Sequence, residues 1–431
     1  MSLEKAALAA LFVASIGSSC SAQPDLGPPG AVVARSSAEV QAALSSAGRN
    51  GGGIVWLPGR AYTAAGGWSV PAGVTMKCSG SASTKLTSSS PDADIVTLAG
   101  PGAAIEDCGF SSPIRRAGGA DIAVRANDTA VRRISVVNPF VAVAVPGFDR
   151  VVIVDLDVQG GCSGVDLSGI EITLERANIR GFGGAGCYGV RVGALTRAAH
   201  SVDDRLIDVE TAADANHKPD EGILVQDAGG LFMSRCSNLF ATVGTKFLPG
   251  PGQLIQWATL DDDYLGDAGN TYDFVIDTAA PDAEVQGVQC TACWTSSSSR
   301  SGVIVGDTGG GSVFGIHFVG LRAMVNGADG ILVIARRHPA DVTIDDSQIC
   351  GFRGTGVHLG AGVTGVSVRA SRIGSCDGAT TPFAANLAFD GGNDAVTVTG
   401  NDFGGVRAPA LRGQVGPRSL VANNRGLQSA P

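Results

Sequence analysis

The sequence is poor in charged and in aromatic residues. Only 16% of its 431 residues are charged and 5% are aromatic, whereas about 25% are charged in ordinary soluble domains. Helical bundles and coiled coils depend on charged faces, so this composition disfavours both. Basic residues do not cluster, and the formal net charge is −9. A nucleic-acid partner is therefore not expected, because phosphate binding needs clustered Lys and Arg.

Long apolar runs are also missing. No stretch of about 20 apolar residues occurs, so no membrane span is predicted. The one apolar candidate, residues 6–17, is too short to cross a bilayer and precedes three small residues that end at Ala22. Residues 1–22 are therefore interpreted either as a secretory signal cleaved after Ala22 or as an uncleaved anchoring segment. A Pro/Gly linker over residues 23–35 follows in both cases.

What the sequence has in excess is glycine. Glycine accounts for 62 of the 431 residues, about twice its usual share. The hydrophobic fraction of 44% argues against disorder, and the absence of a Gly-X-Y register excludes collagen. These features predict a globular, strand-rich chain with glycines at its sharp corners.

A short helix is predicted where the folded body begins. Ser36 or Ser37 can cap its first turn, and Val40, Ala43 and Leu44 supply an apolar face. Glycines end this helix, and short apolar runs separated by Pro and Gly follow it. Residues 36–80 are thus predicted to form an N-terminal cap with the first strands.

A loose repeat of about 27 residues dominates the rest of the chain. Its recurrent unit is a glycine followed by alternating apolar residues, with glycines at positions 189, 222, 302, 330 and 356. Successive glycines are 33, 80, 28 and 26 residues apart, and 80 is about three such intervals. A second register, which includes Ile179, Ile207, Cys236 and Tyr264, has a similar period.

This period predicts an all-β fold, a right-handed parallel β-helix of about 14 coils. Its body spans residues 81–405, and residues 406–431 close it. Coils about 4.8 Å apart would form a rod on the order of 70 Å long. A β-sandwich is the alternative, but sandwich strands recur roughly every 8–12 residues without a longer period.

Sequence motifs at both ends of the chain carry a family resemblance. Residues 51–63 are GGGIVWLPGRAYT, and VPAGVT follows at residues 70–75. Asn-Asp-Phe at residues 401–403 and VANNRG at residues 421–426 come near the end. With these motifs the chain resembles the pectate-lyase-like β-helix superfamily, which includes phage tailspikes and secreted polysaccharide enzymes. The resemblance implies the β-helix fold, a polysaccharide ligand and a homotrimer, and it does not specify a reaction.

Several of the ten cysteines are spaced by about one coil. Cys162 and Cys187 are 25 residues apart, and Cys350 and Cys376 are 26 apart. Stacked coils would bring such pairs within disulfide range. The alternative, which we expect, is an interior stack of small reduced thiols.

Acids and aromatic residues are densest in two regions, residues 203–221 and 257–273. Glycoside hydrolysis uses two carboxylates, a lyase uses an Arg or Lys base, and aromatic rings can stack on sugars. The catalytic candidates are Arg205, Lys218, Asp220, Glu221 and Asp262. The substrate-binding candidates are Trp257, Asp261, Asp263, Tyr264 and Tyr272. Alternatively, these acids only cap turns and solvate the rod.

No cofactor or metal site is predicted from the sequence. Cys290 and Cys293 have metal or redox spacing, but no second pair or nearby histidine accompanies them. A lyase would be the exception, because Arg205 or Lys218 would then act beside carboxylates that can hold Ca²⁺.

The sequence therefore predicts a phage tailspike-like protein that binds bacterial surface polysaccharide and could depolymerise it. Its location would be the virion, and its partners would be the polysaccharide, further copies in a homotrimer and other phage tail proteins. The first alternative is a secreted or periplasmic polysaccharide lyase or glycoside hydrolase. The second is a structural or adhesive β-helix without catalysis.

Overall fold

The fold is known from a computed structural model. It describes residues 27–112, 116–193, 201–375, 383–404 and 409–427. The apolar segment at residues 1–22 lies outside the described residues. No helix in the described ranges is long and apolar enough to span a membrane.

The predicted N-terminal helix is present as α1 (Ser37–Arg49). Ser36 precedes it, and the Ser36 hydroxyl donates a hydrogen bond to Glu39 Oε1 at 2.9 Å. Val40 and Leu44 are fully buried on its apolar face. The helix packs on the first strands and so covers the N-terminal end of the core.

Forty strands, numbered in chain order, make up the described body, and they pair in parallel in two sheets. Sheet 1 has 26 strands. They are β1 (Val32–Val33), β2 (Gly53–Leu57), β3 (Ala61–Ala64), β5 (Val74–Cys78), β6 (Lys85–Ser88), β8 (Ala104–Glu106), β9 (Gly109–Ser111), β11 (Ala130–Val137), β13 (Val152–Gln159), β15 (Thr173–Arg180), β17 (Arg205–Ala212), β19 (Ala228–Gly229), β20 (Phe232–Ser234), β21 (Ser237–Leu239), β23 (Leu254–Asp261), β24 (Tyr264–Asp267), β26 (Glu284–Thr291), β27 (Trp294–Ser296), β29 (Ser312–Val319), β30 (Arg322–Met324), β32 (Val342–Asp345), β33 (Gln348–Cys350), β35 (Val366–Arg369), β36 (Arg372–Gly374), β38 (Thr397–Thr399) and β40 (Leu420–Ala422).

Sheet 2 has 14 strands, one from each coil. They are β4 (Trp68–Val70), β7 (Val96–Leu98), β10 (Ala120–Val124), β12 (Val141–Pro146), β14 (Ser163–Ser168), β16 (Tyr188–Val192), β18 (Glu221–Val225), β22 (Val243–Phe247), β25 (Tyr272–Ile276), β28 (Val303–Val305), β31 (Ile331–Val333), β34 (Thr355–Leu359), β37 (Ala385–Phe389) and β39 (Leu411–Arg412). The parallel β-solenoid of about 14 coils is thereby confirmed.

The glycine repeat lies in sheet 2, and its cause is steric. Ile223, Thr245, Phe274 and Val303 are paired in successive coils, so the 80-residue interval is three coils, as predicted. A Cβ atom at Gly189 would lie 2.6 Å from the carbonyl oxygen of a glycine in the next coil. Real Cβ atoms do not approach so closely, so a side chain cannot be accommodated there without a shift of the backbone.

The second predicted register is wrong at Ile179 and Ile207. Ile179 pairs with Thr211, whereas Ile207 pairs with Glu175. Paired residues of β15 and β17 are 32 positions apart, but those of β17 and β20 are 27 apart. Because coil length varies, a fixed spacing loses the register.

The core lies inside the coils and consists of small aliphatic side chains stacked coil on coil. Val165, Val190 and Ile223, for example, are fully buried and directly paired along sheet 2. Each buried methylene stabilises the fold by about 0.8 kcal/mol. A narrow solenoid thus obtains its stability from repeated short contacts rather than from large side chains.

Disulfides replace the expected stack of reduced thiols. Cys162 and Cys187 form a bridge between neighbouring coils, with their Cα atoms 5.1 Å apart. Cys78–Cys108 and Cys290–Cys293 are also bridged. Cys350 is disulfide-bonded as well, and Cys376 lies outside the described residues. The expectation of free thiols was wrong at these sites, whereas Cys236 is a buried free thiol as expected. Parallel stacking explains the first two bridges, because it places cysteines one coil apart within bonding range. Cys290 and Cys293 are instead only three residues apart.

Candidate functional site

The predicted site residues separate into two groups. Trp257, Asp261, Asp262, Asp263 and Tyr264 follow one another across a single coil, in β23, in β24 and at the corner between them. Lys218, Asp220, Glu221 and Tyr272 belong instead to the start of sheet 2 strands and the corners before them. Arg205 begins β17, two coils before β23 in sheet 1.

Trp257 combines a left-handed backbone with high exposure of its side chain. Its φ is +55°, in the left-handed region, and the residue is 66% exposed. The same corner is occupied by Gly230 and Gly287 in the two flanking coils, both with positive φ. A Cβ atom at Gly287 would lie 3.2 Å from Trp257 Cδ1, so the indole lies over bare backbone.

The strand after Trp257 presents a polar strip on its outer side. Ala258 and Leu260 are buried, whereas Thr259 is half-buried and Asp261 is exposed. This alternation is the ordinary period of a strand with one face on a core. The outer surface of this coil therefore carries an indole, a hydroxyl and a carboxylate in sequence.

A planar stack continues the surface onto the next two coils. Tyr264 pairs with Trp294, and Trp294 pairs with Arg322 in the register of sheet 1. The Tyr264 and Trp294 rings are 5.6 Å apart between centroids and 18° from parallel. Arg322 Cζ lies 5.6 Å from the centre of the Trp294 ring, which is within the range of a cation–π contact. We name the outer surface of coils 254–325 in sheet 1 the aromatic face.

Sequence reasoning missed Trp294 and Arg322. Trp294 follows Tyr264 by 30 residues and Arg322 follows Trp294 by 28 residues. Each interval is about one coil. The repeat length points to the vicinity of both residues, but the unequal coil lengths prevent it from identifying them.

The aromatic face also carries an excess of exposed apolar side chains. Seven large apolar residues are exposed in the described ranges, and four of them lie here: Trp257, Tyr264 (43%), Val319 (37%) and Val325 (56%). Val325 has a φ of +57°, which is rare for a β-branched residue. This concentration of exposed apolar side chains makes the aromatic face the candidate binding surface.

Asp262 is the last charged residue in a row of charged side chains at one corner of sheet 1, with one residue from each coil. Asp208 and Arg235 precede it at the same corner of sheet 1, and Ala292 and a glycine follow it. Arg235 donates two hydrogen bonds to Asp208, at 2.6 and 3.0 Å. Asp262 is exposed beside Asp261 and has no cationic residue at the corner of the next coil.

Asp263 is directed away from solvent. It is 1% exposed, and its Oδ1 accepts a hydrogen bond from the Cys236 backbone N–H at 2.6 Å. Burial raises the pKa of Asp263 to about 7. At the same corner of a later coil, Ser347 accepts the Leu321 N–H in the same way. Asp263 thus belongs to a row of polar side chains that satisfy backbone donors of the preceding coil.

The second group makes contacts within the protein. Glu221 forms a salt bridge with Lys246 at 2.8 Å, and Asp220 accepts a hydrogen bond from the backbone of a glycine at 2.9 Å. Lys218 donates to the carbonyl oxygen of Gly269. Arg300 Nη1 lies 3.4 Å from the Tyr272 hydroxyl. Arg205 is exposed at the start of its strand.

The arrangement of acids bears on chemistry. A general acid needs a raised pKa and access to the substrate. On the coil that carries Trp257, burial raises the pKa of Asp263 to about 7 and that of Asp273 to about 8, but both side chains are sealed from solvent. The exposed acids, Asp261 and Asp262, lie between Trp257 and Tyr264 along the chain. The aromatic face can therefore bind a flat ligand, and its exposed carboxylates can accept hydrogen bonds from hydroxyl groups.

Two open clefts occur elsewhere on the described surface. One, of about 580 Å³, is lined by Asp390, Asp394 and residues 413–417. The other, of about 890 Å³, lies beside the Cys162–Cys187 bridge. Neither is lined by any of the ten predicted site residues. No three His, Cys, Asp or Glu side chains in the described ranges are placed to hold a metal ion.

Comparisons with known proteins identify the fold. Neither a protein-family model nor a curated protein matches the sequence. Tailspike protein 3 of bacteriophage CBA120 superposes with a TM-score of 0.57 and 12% identity, covering 91% of this chain and 59% of the tailspike. The chain thus spans less than two thirds of that protein.

Glycoside hydrolases of one family give a similar result. The catalytic unit of the GH87 alpha-1,3-glucanase from Streptomyces thermodiastaticus matches with a TM-score of 0.51 and 14% identity, over 85% of this chain and 69% of that one. A GH87 alpha-1,3-glucanase catalytic domain in complex with tetrasaccharides matches with a TM-score of 0.54 and 13% identity, over 93% and 70%. The expected resemblance holds at the level of fold: the chain is a parallel β-solenoid, as these neighbours are.

Proposed function

We propose that the protein binds bacterial surface polysaccharide on the aromatic face. The observation that carries this proposal is Trp257, a large apolar side chain that is 66% exposed in a left-handed backbone conformation. That conformation costs a non-glycine residue about 1–2 kcal/mol. Because the indole is exposed, the protein also lacks the stabilisation that burial of this large apolar side chain would give. Both costs are explained if the indole is a platform on which a sugar ring stacks.

The rest of the coil fits a saccharide. Tyr264 provides a second ring on the same coil, and the hydroxyl of Thr259 and the carboxylate of Asp261 lie between the two rings along the chain. Sugar rings present apolar C–H faces and a rim of hydroxyl groups. Aromatic platforms separated by hydrogen-bonding groups match that chemistry.

Binding can be tested with the full chain and purified capsular and lipopolysaccharide preparations. Trp257→Ala should weaken binding about tenfold, which corresponds to about 1.4 kcal/mol. Ile170→Ala is the matched control, because Ile170 is another exposed large apolar residue and lies outside the aromatic face. Equal affinities for Trp257→Ala and the unmodified protein would reject the aromatic face as the binding site.

Depolymerisation is a second candidate function, favoured by the exposed Asp261 and Asp262, which lie between the two rings along the chain. Glycan incubation should then release reducing ends for a hydrolase, or unsaturated uronate absorbance for a lyase. Asp262→Asn should abolish the release. Persistent binding without either product would identify a receptor-binding or adhesive protein rather than an enzyme.

We further propose that the protein is part of a phage tail. Three copies of the chain would form a homotrimer, and this homotrimer would bind other tail proteins. The similarity to a tailspike supports this location. Light scattering of the purified chain should give three times the mass of one chain, and peptides of the chain should occur in purified virions. A natural N-terminus at Gln23 in culture supernatant would instead support the secreted enzyme.

A further inference from the structure

We propose that the aromatic face selects polysaccharides that carry carboxylate groups, and that Arg322 binds the carboxylate. This inference rests on the proposed polysaccharide binding and specifies its substrate class. It starts from the stack of Tyr264, Trp294 and Arg322, in which two rings are followed by one guanidinium.

Arg322 has no acidic partner in the described ranges, in contrast to several other arginines of sheet 1. Arg176, Arg235 and Arg369 each donate paired hydrogen bonds to an aspartate of the preceding coil. Arg322 is exposed, and within the described ranges it forms no salt bridge; its contact is with the Trp294 ring. In the preceding coil Arg322 is paired with Trp294 rather than with an aspartate.

The contact with Trp294 leaves the guanidinium of Arg322 able to bind an anion. Stacking uses the flat face of the group, whereas its N–H donors project from the edge. Two parallel N–H donors match the two oxygens of a carboxylate. Trp294 therefore holds Arg322 in place and leaves its hydrogen-bonding edge available.

The surroundings strengthen such a contact. Val319 and Val325 lie three residues before and after Arg322, and both are exposed. A ligand seated on them removes water from the guanidinium edge. Charge–charge interactions are stronger where water is excluded.

Charge is also distributed unevenly along the aromatic face. Asp261 and Asp262 lie at the coil of Tyr264, two coils or about 10 Å from Arg322. The outward positions paired with Asp261 and Tyr264 in the intervening coil are Thr291 and Trp294, which are uncharged. A sugar carboxylate is thus repelled at the Tyr264 end and attracted at the Arg322 end, which fixes the orientation of the bound chain.

The test compares uronate-containing capsular polysaccharides with the same preparations after chemical reduction of their carboxyl groups to alcohols. The unmodified protein should bind the native form at least tenfold more tightly than the reduced form, and the preference should fall at high salt. Arg322→Gln should reduce this ratio to less than about twofold while the affinity for the reduced form is retained. Arg353→Gln, which removes the same charge from an exposed corner off the aromatic face, should keep the preference.

The outcomes separate this inference from the proposed function. Equal binding of native and reduced polysaccharides, or an unchanged ratio in Arg322→Gln, would overturn the role of Arg322 and leave polysaccharide binding intact. Failure of the protein to bind any of the preparations would overturn both. Trp257→Ala should weaken binding of the two forms by the same factor, because stacking does not depend on the carboxylate.

Discussion

Arg235 and Asp208 form a two-point ion pair although both hold left-handed backbone conformations, with φ of +53° in each. They belong to one corner of sheet 1 at which successive coils alternate in charge. The row of charged side chains at this corner comprises Asp107, Arg133, Asp155, Arg176, Asp208, Arg235 and Asp262. A left-handed backbone conformation is unfavourable for most residues other than glycine, and this cost recurs at the same corner of each coil. The ion pairs between oppositely charged residues of successive coils offset part of it.

This row of charged side chains predicts an asymmetric response to substitution at Arg176. Arg176→Asp would place three carboxylates in a row and should lower the denaturant midpoint, more at low salt than at high salt. Arg176→Gly should lower the midpoint much less than Arg176→Asp does, because relief of left-handed strain offsets the lost ion pair. Denaturant midpoints at two ionic strengths measure both effects. A salt-independent loss in Arg176→Asp would show that charge alternation does not stabilise the corner.

Trp257 should show a trade between stability and binding. Trp257→Gly places glycine where both neighbouring coils already have it, so it should be more stable than Trp257→Ala by about 1 kcal/mol. Both variants lack the indole and should bind polysaccharide equally weakly. Thermal unfolding and glycan affinity of the two variants provide the measurement. Comparable stabilities would mean that the corner imposes no strain on Trp257.

His358 should make stability depend on alkaline pH. Its ring nitrogens lie 3.1 Å from Asp329 Oδ2 and 3.0 Å from Asp390 Oδ1, and the hydrogen bond to Asp329 is the main cause that raises the pKa of His358 from 6.5 to about 9. A raised histidine pKa stabilises the fold fully below pH 6.5, and this contribution is lost as the pH rises through 9. The contribution is about 1–2 kcal/mol, since Asp390 is half exposed.

His358→Gln should therefore remove the slope that His358 contributes between these two pH values. The measurement is the unfolding midpoint of both proteins across that range. His317→Gln is the control, because His317 lies on an exposed strand position of sheet 1. An identical slope in His358→Gln and the unmodified protein would contradict the assignment.

The fold could be predicted from the sequence, whereas the complete site could not. At Gly189 a side chain would collide with a carbonyl oxygen of the next coil. Because the same steric constraint recurs coil after coil, the glycines form a repeat that can be recognised in the sequence. Trp257 and Tyr264 were found because they are close in sequence. Arg322 is 65 residues from Trp257. It belongs to the aromatic face because the strands of successive coils pair in register although the coils differ in length. No single repeat length predicts that register.

Asp273 should make the protein less stable as the pH rises towards 8. Its side chain is fully buried beside Asn270, whose Nδ2 lies 3.4 Å from Asp273 Oδ1, and burial raises the pKa of Asp273 from 3.8 to about 8. The unfolded chain ionises this group at about pH 4, whereas the folded chain keeps it protonated. Stability from the protonated form is therefore present below pH 3.8 and is lost progressively up to pH 8.

Asp273→Asn tests whether stability falls as the pH rises. The amide is neutral at every pH and can still accept the hydrogen bond from Asn270, so the variant should equal the unmodified protein near pH 4 and exceed it by a few kcal/mol, on the order of the ionisation cost, above pH 8. Asp282→Asn is the control, because it also replaces an aspartate by an amide but at an exposed position. Unfolding midpoints between these pH limits distinguish the two. A variant that is less stable than the unmodified protein above pH 8 would mean that the carboxylate is ionised and that its charge is neutralised inside the solenoid.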